Sequence, residues 1–130
     1  MGAFDLLRIA GSGLGMHQTW LDTIGSNIAN VNTMTSTDED AFTAQMVVAQ
    51  ARPDGGVDVA GIATGDPEGV LVHSPDHPLA DEDGYVRGPA MDLTSQMSQL
   101  IMAQRGFQAS SQVTQFAQDA YASAIQIGNR

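Results

Sequence analysis

The chain has no cysteine and no lysine among its 130 residues. Without cysteine it forms neither disulfides nor thiolate metal sites. Its basic residues are five arginines against fifteen acidic residues, which gives a formal net charge of −10. This balance argues against nucleic acid and against anionic membrane surfaces as partners, because both require clustered basic side chains.

Long apolar runs are also missing. None approaches the roughly 20 residues of a membrane span, so direct membrane insertion is not expected. The N-terminus lacks the basic-then-apolar order of a cleavable signal peptide. We therefore expect that any passage out of the cytoplasm uses no cleaved signal.

The charges that are present lie mostly in the middle of the chain. Residues 1–33 carry three charged side chains and residues 91–130 carry four, whereas residues 34–90 carry the other thirteen, with a net charge of −9. Two nearly uncharged ends therefore flank an acidic centre, and we divide the chain at these boundaries.

Both ends carry apolar residues at helical spacing. A heptad line through Leu7, Leu14, Leu21 and Ile28 predicts a coiled-coil helix that ends near residue 30. Two apolar lines can be drawn along a second long helix at 91–127, whose other positions are mostly Gln, Ser and Thr. A helix that is apolar on two sides and uncharged elsewhere is expected to be surrounded by other helices. We infer that the missing neighbours belong to other copies or other chains.

The middle region has a different pattern. Short valine-rich stretches at 43–50, 57–62, 69–73 and 85–87 are separated by proline and glycine turns. They predict a small acidic β module of two or more hairpins, which a mobile loop at 34–41 precedes. The predicted fold class is α+β, with two long terminal helices forming a helical layer and a β-hairpin-rich insertion between them.

The sequence SNIANVNT at 26–33 places three asparagines at the end of the first helix. Asparagine tolerates the left-handed conformation found at helix C-termini, and its side chain caps nearby backbone groups. This local role accounts for one or two of the three residues Asn27, Asn30 and Asn32 at the end of the helix.

Candidate catalytic and binding motifs are weak. GSGLG at 11–15 lacks the preceding strand of a phosphate-binding loop, and we interpret its glycines as sites of close helix approach. Ser12, His17 and Asp22 fall on one helix, where they cannot converge on a substrate atom. We predict no enzymatic activity and no cofactor.

A metal site is also disfavoured. His73 and His77 are four residues apart among several carboxylates, but Pro75 and Pro78 exclude the helix that would bring both imidazoles to one face. We interpret this segment as a pair of solvated turns.

SGLGMHQTWLDTIGSNIANVNT at 12–33 resembles the N-terminal signature of the rod and hook family of bacterial flagellar axial proteins. Three further segments are similar to proximal rod proteins of the basal body, namely GGVDV at 55–59, SPDHPLADEDGYVRGP at 74–89 and QMSQLIMAQRGFQAS at 96–110. Gln96, Phe107 and Ser110 stand where that family usually has glutamate, tyrosine and asparagine.

The resemblance implies a structural subunit of the proximal rod. Such a subunit polymerises through its terminal helices into a hollow axial tube, which transmits torque and passes exported subunits. Implied partners are other copies of the chain, the rod proteins FlgB, FlgF and FlgG, the basal-body protein FliE and the flagellar type III export apparatus. The implied location is the periplasm-spanning rod, reached without a cleaved signal peptide. The alternative is a soluble helical-hairpin adaptor that binds basic partners through an acidic β head.

On the rod interpretation, the subunit interface combines apolar helix positions with the asparagine-rich segment. Arg105 is included because it is predicted to make an ion pair or a carbonyl contact across a subunit boundary. The predicted interface residues are Leu7, Leu14, Leu21, Ile24, Asn27, Ile28, Asn30, Asn32, Thr33, Met97, Leu100, Ile101, Arg105, Phe107, Val113, Phe116 and Ile127.

Overall fold

The computed structural model describes residues 2–129. Two antiparallel β-hairpins lie between two terminal helices in the sequence. The predicted α+β fold is confirmed, and the hairpins pair β1 with β2 and β3 with β4. The elements are α1 (Ala3–Ala29), β1 (Gln45–Ala51), β2 (Val57–Thr64), β3 (Val70–His73), β4 (Tyr85–Gly88) and α2 (Leu93–Gly128).

The two helices pack antiparallel along a seam of small and polar residues. Near one end Phe4 meets Tyr121, and near the other Asn27 meets Gln96. The half-buried Tyr121 meets α1, but the exposed large apolar side chains of α2 do not lie on that face. The seam of α2 instead follows a heptad of smaller or polar side chains, which are Gln96, Ala103, Ser110 and Ala117.

The centre of the seam depends on two glycines. The ring of His17 lies against Gly106 so closely that a Cβ at residue 106 would overlap it. His17 Nδ1 lies 2.8 Å from the carbonyl oxygen of Gly13, and since a carbonyl oxygen only accepts, Nδ1 is the donor. A Cβ at Gly13 would in turn lie 3.1 Å from Ser110 Oγ. The helices therefore meet through notches, with a large side chain on one helix and no side chain opposite it.

The β1–β2 hairpin lies along α1 and is attached at both of its ends. Asn27 bonds the start of β1 at Gln45, and Arg8 bonds the carboxylate of Asp54 in the hairpin turn at 2.8 Å. From Arg8 to Asn27 the helix rises about 28 Å. From Gln45 to Asp54 a strand extends about 30 Å, so the two attachments fit without distortion. The register shifts once, opposite Val48 and Ala49.

Asn27 connects three elements. Its side-chain amide donates to the Gln45 carbonyl oxygen (2.8 Å) and accepts from the Gln45 N–H (2.8 Å), so it pairs with β1 as a neighbouring strand would. The same amide nitrogen lies 3.0 Å from Gln96 Oε1 on α2. Asn27 is only 1% exposed. Because a buried polar group without partners is costly, these bonds fix α1, β1 and α2 relative to one another.

The end of α1 confirms one half of the asparagine prediction and corrects the other. Asn30 Nδ2 donates to the Ser26 carbonyl oxygen at 2.9 Å, and Thr33 donates to Asn30 Oδ1 at 3.1 Å. The side chain thus caps the helix as predicted. The left-handed conformation was the wrong expectation, because Asn30 has φ −107° and in residues 2–129 only glycines have positive φ.

Residues 34–41 are tied down, which corrects the prediction of a mobile loop. Thr35 and Arg87 exchange backbone hydrogen bonds of 2.8 and 2.9 Å, which adds residue 35 to the free edge of β4. The Arg87 guanidinium donates to the carbonyl oxygens of Thr37 (2.8 Å) and Glu68. Ala41 N–H donates to the carbonyl oxygen of Pro67 at 2.8 Å. One arginine therefore holds the loop and the turn before β3 together.

We expect Asn27→Ala to lower the free energy of unfolding by about 2–4 kcal/mol, because it leaves buried groups of Gln45 and Gln96 without partners. Urea unfolding followed by circular dichroism measures this. Asn32→Ala is the matched control, because Asn32 is exposed, and it should change stability by less than about 0.5 kcal/mol. Equal effects of the two changes would contradict the role given to Asn27.

We expect Gly106→Ala to destabilise the chain by about 1–3 kcal/mol, because the added methyl forces the His17 ring out of its notch. Gly11→Ala is the control, since no atom lies within 4 Å of a Cβ at residue 11. That change should stabilise the helix by up to about 1 kcal/mol. Thermal unfolding of both variants tests whether Gly106→Ala lowers and Gly11→Ala raises the melting temperature.

Candidate assembly surface

Helix α2 buries little of its apolar surface within the chain. Only three residues of α2 are buried, and none of them is a large apolar side chain. Phe116 is 72% exposed and Ile127 is 76% exposed. The exposed large apolar side chains of α2 are Leu93, Met97, Ile101, Met102, Val113, Phe116, Ile125 and Ile127.

The whole chain is more open than its size requires. It exposes 8263 Å². A compact protein of this mass exposes about 6,600 Å², so the excess is about 1,700 Å². Among residues 2–129 the buried apolar residues are six, and four of these are alanines. Most of the large apolar side chains, which form the core of a typical protein, are therefore half-buried or exposed.

The predicted interface residues divide by burial into three groups. The exposed members are Asn32, Thr33, Met97, Ile101, Arg105, Val113, Phe116 and Ile127. The half-buried members are Leu7, Leu14, Leu21, Ile28, Asn30, Leu100 and Phe107. Ile24 and Asn27 are each 1% exposed. These last two side chains are used inside the chain, so we remove them from the interface prediction.

The small seam of α2 was missed at the sequence level. Its residues recur every seven positions, which is a detectable signal, but alanine and serine carry little weight beside lines of Leu, Met and Phe. On α1 the line that meets α2 is Ala10, His17 and Ile24, whereas the line through Leu7 and Leu14 is only half-buried.

The segment GSGLG lies inside α1, where its residues serve packing. Ser12 Oγ accepts the backbone N–H of Val57 at 3.1 Å and donates to the Ile9 carbonyl oxygen at 2.7 Å. Ser12 thus faces the hairpin, His17 faces α2, and Asp22 is exposed and accepts from Gln18 at 2.9 Å. The three side chains point in three directions and form no common site.

The histidine and carboxylate segment at 73–83 is folded into turns. The rings of His73 and Tyr85 are 5.0 Å apart edge to face, and His77 Nδ1 accepts from the Leu79 N–H at 3.1 Å. Asp81 Oδ1 accepts from the N–H groups of Tyr85 (2.8 Å) and Asp83 (3.0 Å). Within residues 2–129, no group of three or more His, Asp or Glu side chains is arranged to hold a metal ion.

Neither helix in the described range combines the length and the apolar character that a membrane crossing needs.

Comparison with known proteins identifies both ends of the chain. Residues 7–34 match the family model described as Flagella basal body rod protein, and residues 82–127 match Flagellar basal body rod FlgEFG protein C-terminal. The flagellar basal-body rod protein FlgC of Yersinia enterocolitica is 39% identical, with 87% of this chain and 88% of that protein covered. This chain belongs to the FlgC family of flagellar basal-body rod proteins. FlgC of Salmonella typhimurium is 34% identical over the same shares. FlgC of Borreliella burgdorferi is 30% identical, with 98% of both chains covered.

Membership of the FlgC family confirms the resemblance to flagellar rod proteins. It confirms a structural role rather than an enzymatic one, location in the basal-body rod, and assembly with other rod components. The adaptor interpretation is set aside for the same reason. The two matched regions contain most of α1 and α2, and α2 carries eight exposed large apolar side chains.

The turn at Asp81 gives a pH-dependent prediction. The hydrogen bond from the Tyr85 backbone N–H, with those from other donors nearby, holds the pKa of Asp81 below its ordinary 3.8. A carboxyl group with a depressed folded pKa stabilises the fold above its unfolded pKa, and this contribution is lost as pH falls through the folded pKa. We expect NMR titration of the folded chain to give Asp81 a midpoint below 3.8 and the urea-unfolded chain to give the ordinary value. Identical midpoints would contradict the hydrogen-bonded turn.

Proposed function

We propose that this chain is a subunit of the proximal rod whose terminal helices complete their packing against neighbouring subunits in a hollow tube. The supporting observation is the excess exposed area of about 1,700 Å². A standard protein interface buries about 800 Å² on each partner, so the excess corresponds to two such contacts per subunit.

The interface in this proposal contains the exposed and half-buried members of the predicted set. Most are apolar side chains of α1 and α2, and burying them supplies the main free energy of assembly. Torque would be carried by this helical layer, because its contacts are continuous from one subunit to the next.

A neutral wall is proposed for the channel side of the layer. Gln104, Gln108 and Gln115 are exposed and uncharged. A wall without charge does not hold unfolded chains that pass along it. The acidic β module, with its net charge of −9, would lie on the outside of the tube.

The finer partners are also part of the proposal. They are other copies of the chain, FlgB, FlgF and FlgG along the rod, FliE at its base, and the type III export apparatus during secretion. Support comes from family membership and from the charge-poor ends of the chain. Export without a cleaved signal peptide is proposed with them.

We expect Ile125→Ser combined with Ile127→Ser to abolish rod incorporation while secretion continues. Both side chains are exposed in the single chain, at 47% and 76%, so their loss should change folding stability by less than about 0.5 kcal/mol. Isolated basal bodies and culture medium are assayed separately for the protein.

The matched control replaces two exposed apolar side chains of the β1–β2 hairpin, Val59→Ser with Ile62→Ser. This variant should still enter the rod. Normal incorporation of the Ile125 and Ile127 variant would refute the role given to the helices.

A further inference from the structure

The outer face of α1 has open space at three glycines. Gly11, Gly15 and Gly25 have no atom within 4 Å of the position a Cβ would take. Glycine disfavours a helix relative to alanine, and these three have no packing reason in the single chain, unlike Gly13 and Gly106. They belong to a line of exposed positions with alternating spacings of four and three, which is Gly11, Gly15, Gln18, Asp22, Gly25 and Ala29.

The exposed positions on the outer face of α2 have the same spacing, but some of them carry large side chains where α1 has glycine. Met102 and Phe116 are large apolar side chains, 54% and 72% exposed. Alternation of four and three is the spacing at which one helix meets another along a continuous contact. The exposed outer line of α2 is Ser98, Met102, Arg105, Ala109, Gln112 and Phe116.

Charge sets the register between these two lines. Arg105 and Asp22 are exposed and form no ion pair among residues 2–129. We align the two helices antiparallel with Arg105 opposite Asp22. Asp119, which is three residues after Phe116, then lies opposite Arg8, which is three residues before Gly11. Arg8 already bonds Asp54, and it is only 35% exposed, so the second pairing adds to an existing ion pair.

The same register places large side chains of α2 opposite glycines of α1. Phe116 falls opposite Gly11, and Met102 falls opposite Gly25. Between them Ala109 falls opposite Gln18, so a small side chain faces a longer one. The chain uses this arrangement inside itself, where the His17 ring fills the notch at Gly106. Charge, bulk and spacing are separate observations, and they agree on one alignment.

We propose that the outer face of α2 binds the outer face of α1 in a second copy of this chain, with Arg105 paired to Asp22. Because the two helices of one chain are antiparallel, copies that point the same way present these faces antiparallel, as the alignment requires. Such a contact is heterologous. The first and the last copy of an assembly each keep one unpaired face, so further copies can be added. The inference rests on the proposed assembly of the terminal helices and names the surfaces that carry it.

The register also predicts a stagger. Within the chain Ser110 lies opposite Gly13. In the proposed contact, Ser110 would lie level with His17 of the second copy along the helix axis. His17 is four residues further along α1 than Gly13. Four residues of helix rise about 6 Å, so successive copies are displaced by that amount along the helix axis. A displaced repeat builds a helical tube rather than a flat ring.

Cross-linking tests the contact directly, because the chain has no cysteine of its own. Full-length Gly25→Cys and Met102→Cys chains are mixed at a concentration where they associate, and then oxidised. A disulfide requires Cα atoms within about 7 Å, so only the proposed register joins these two positions. We expect mixed dimers, with few dimers from either variant alone.

The control pairs Gly25→Cys with Ser98→Cys, which lies on the same line one turn away. The mixture with Met102→Cys should give at least about tenfold more disulfide, because one helical turn moves the sulfur atoms about 6 Å apart. Equal yields, or a larger yield with Ser98→Cys, would overturn the register.

Charge reversal gives an independent measurement. Asp22→Arg alone and Arg105→Asp alone should each weaken self-association about tenfold by sedimentation, since each replaces an attraction by a repulsion. The double variant should restore it, while circular dichroism stays unchanged because both positions are exposed. If the chains associate but show neither rescue nor the Gly25–Met102 disulfide, this contact is wrong and assembly through the helices still stands. If they do not associate at all, both are wrong.

Discussion

A pair of helices can either bring its backbones close together or bury large side chains between them, and this chain does the first. At Gly106 the His17 ring occupies the place of a side chain, and at Gly13 the opposing residue is a serine. At these two positions the seam has no room for a leucine, methionine or phenylalanine side chain. The large apolar residues of α2 are therefore placed on its flanks and outer face, where nothing in the chain covers them.

The rest of the molecule is consistent with that constraint. Asn27 and Arg8 attach the β1–β2 hairpin along one side of α1 through polar bonds, which adds order but buries few large apolar side chains. Eleven of the fifteen acidic residues lie between residues 34 and 90, so the helices can approach other helices with few carboxylates between them. We propose that in this member of the FlgC family a surface of this kind is a means of assembly rather than a defect of folding.

The sequence predicted the elements well because their signals are local. Helical periodicity located α1 and α2, and valine-rich stretches at 57–62 and 85–87 lie within β2 and β4. The predictions failed where the deciding contact is distant in sequence. Arg87 orders residues 34–41 from about fifty positions away, and Asn27 bonds Gln96 on the other helix. The seam itself was hidden because its residues are small.

The interface prediction rests on the same local signals. Phe116 and Ile127 were predicted to be interface residues from their apolar character, and both are exposed in the single chain. Ile24 is also apolar, yet it is buried within the chain, because which face of α1 meets α2 depends on Gly106 and Ser110. The spacing of apolar residues shows which faces of a helix are apolar. The small residues of the partner helix determine which of these faces is buried.

The most direct test of this account is an electron-microscopy reconstruction of the intact basal body that resolves side chains in this subunit. We predict that Phe116, Met102 and Ile127 are enclosed by helices of neighbouring subunits, while His17 remains against Gly106 of its own chain. A rod in which those three side chains face solvent or the channel would contradict the claim that neighbours complete the packing of the helices.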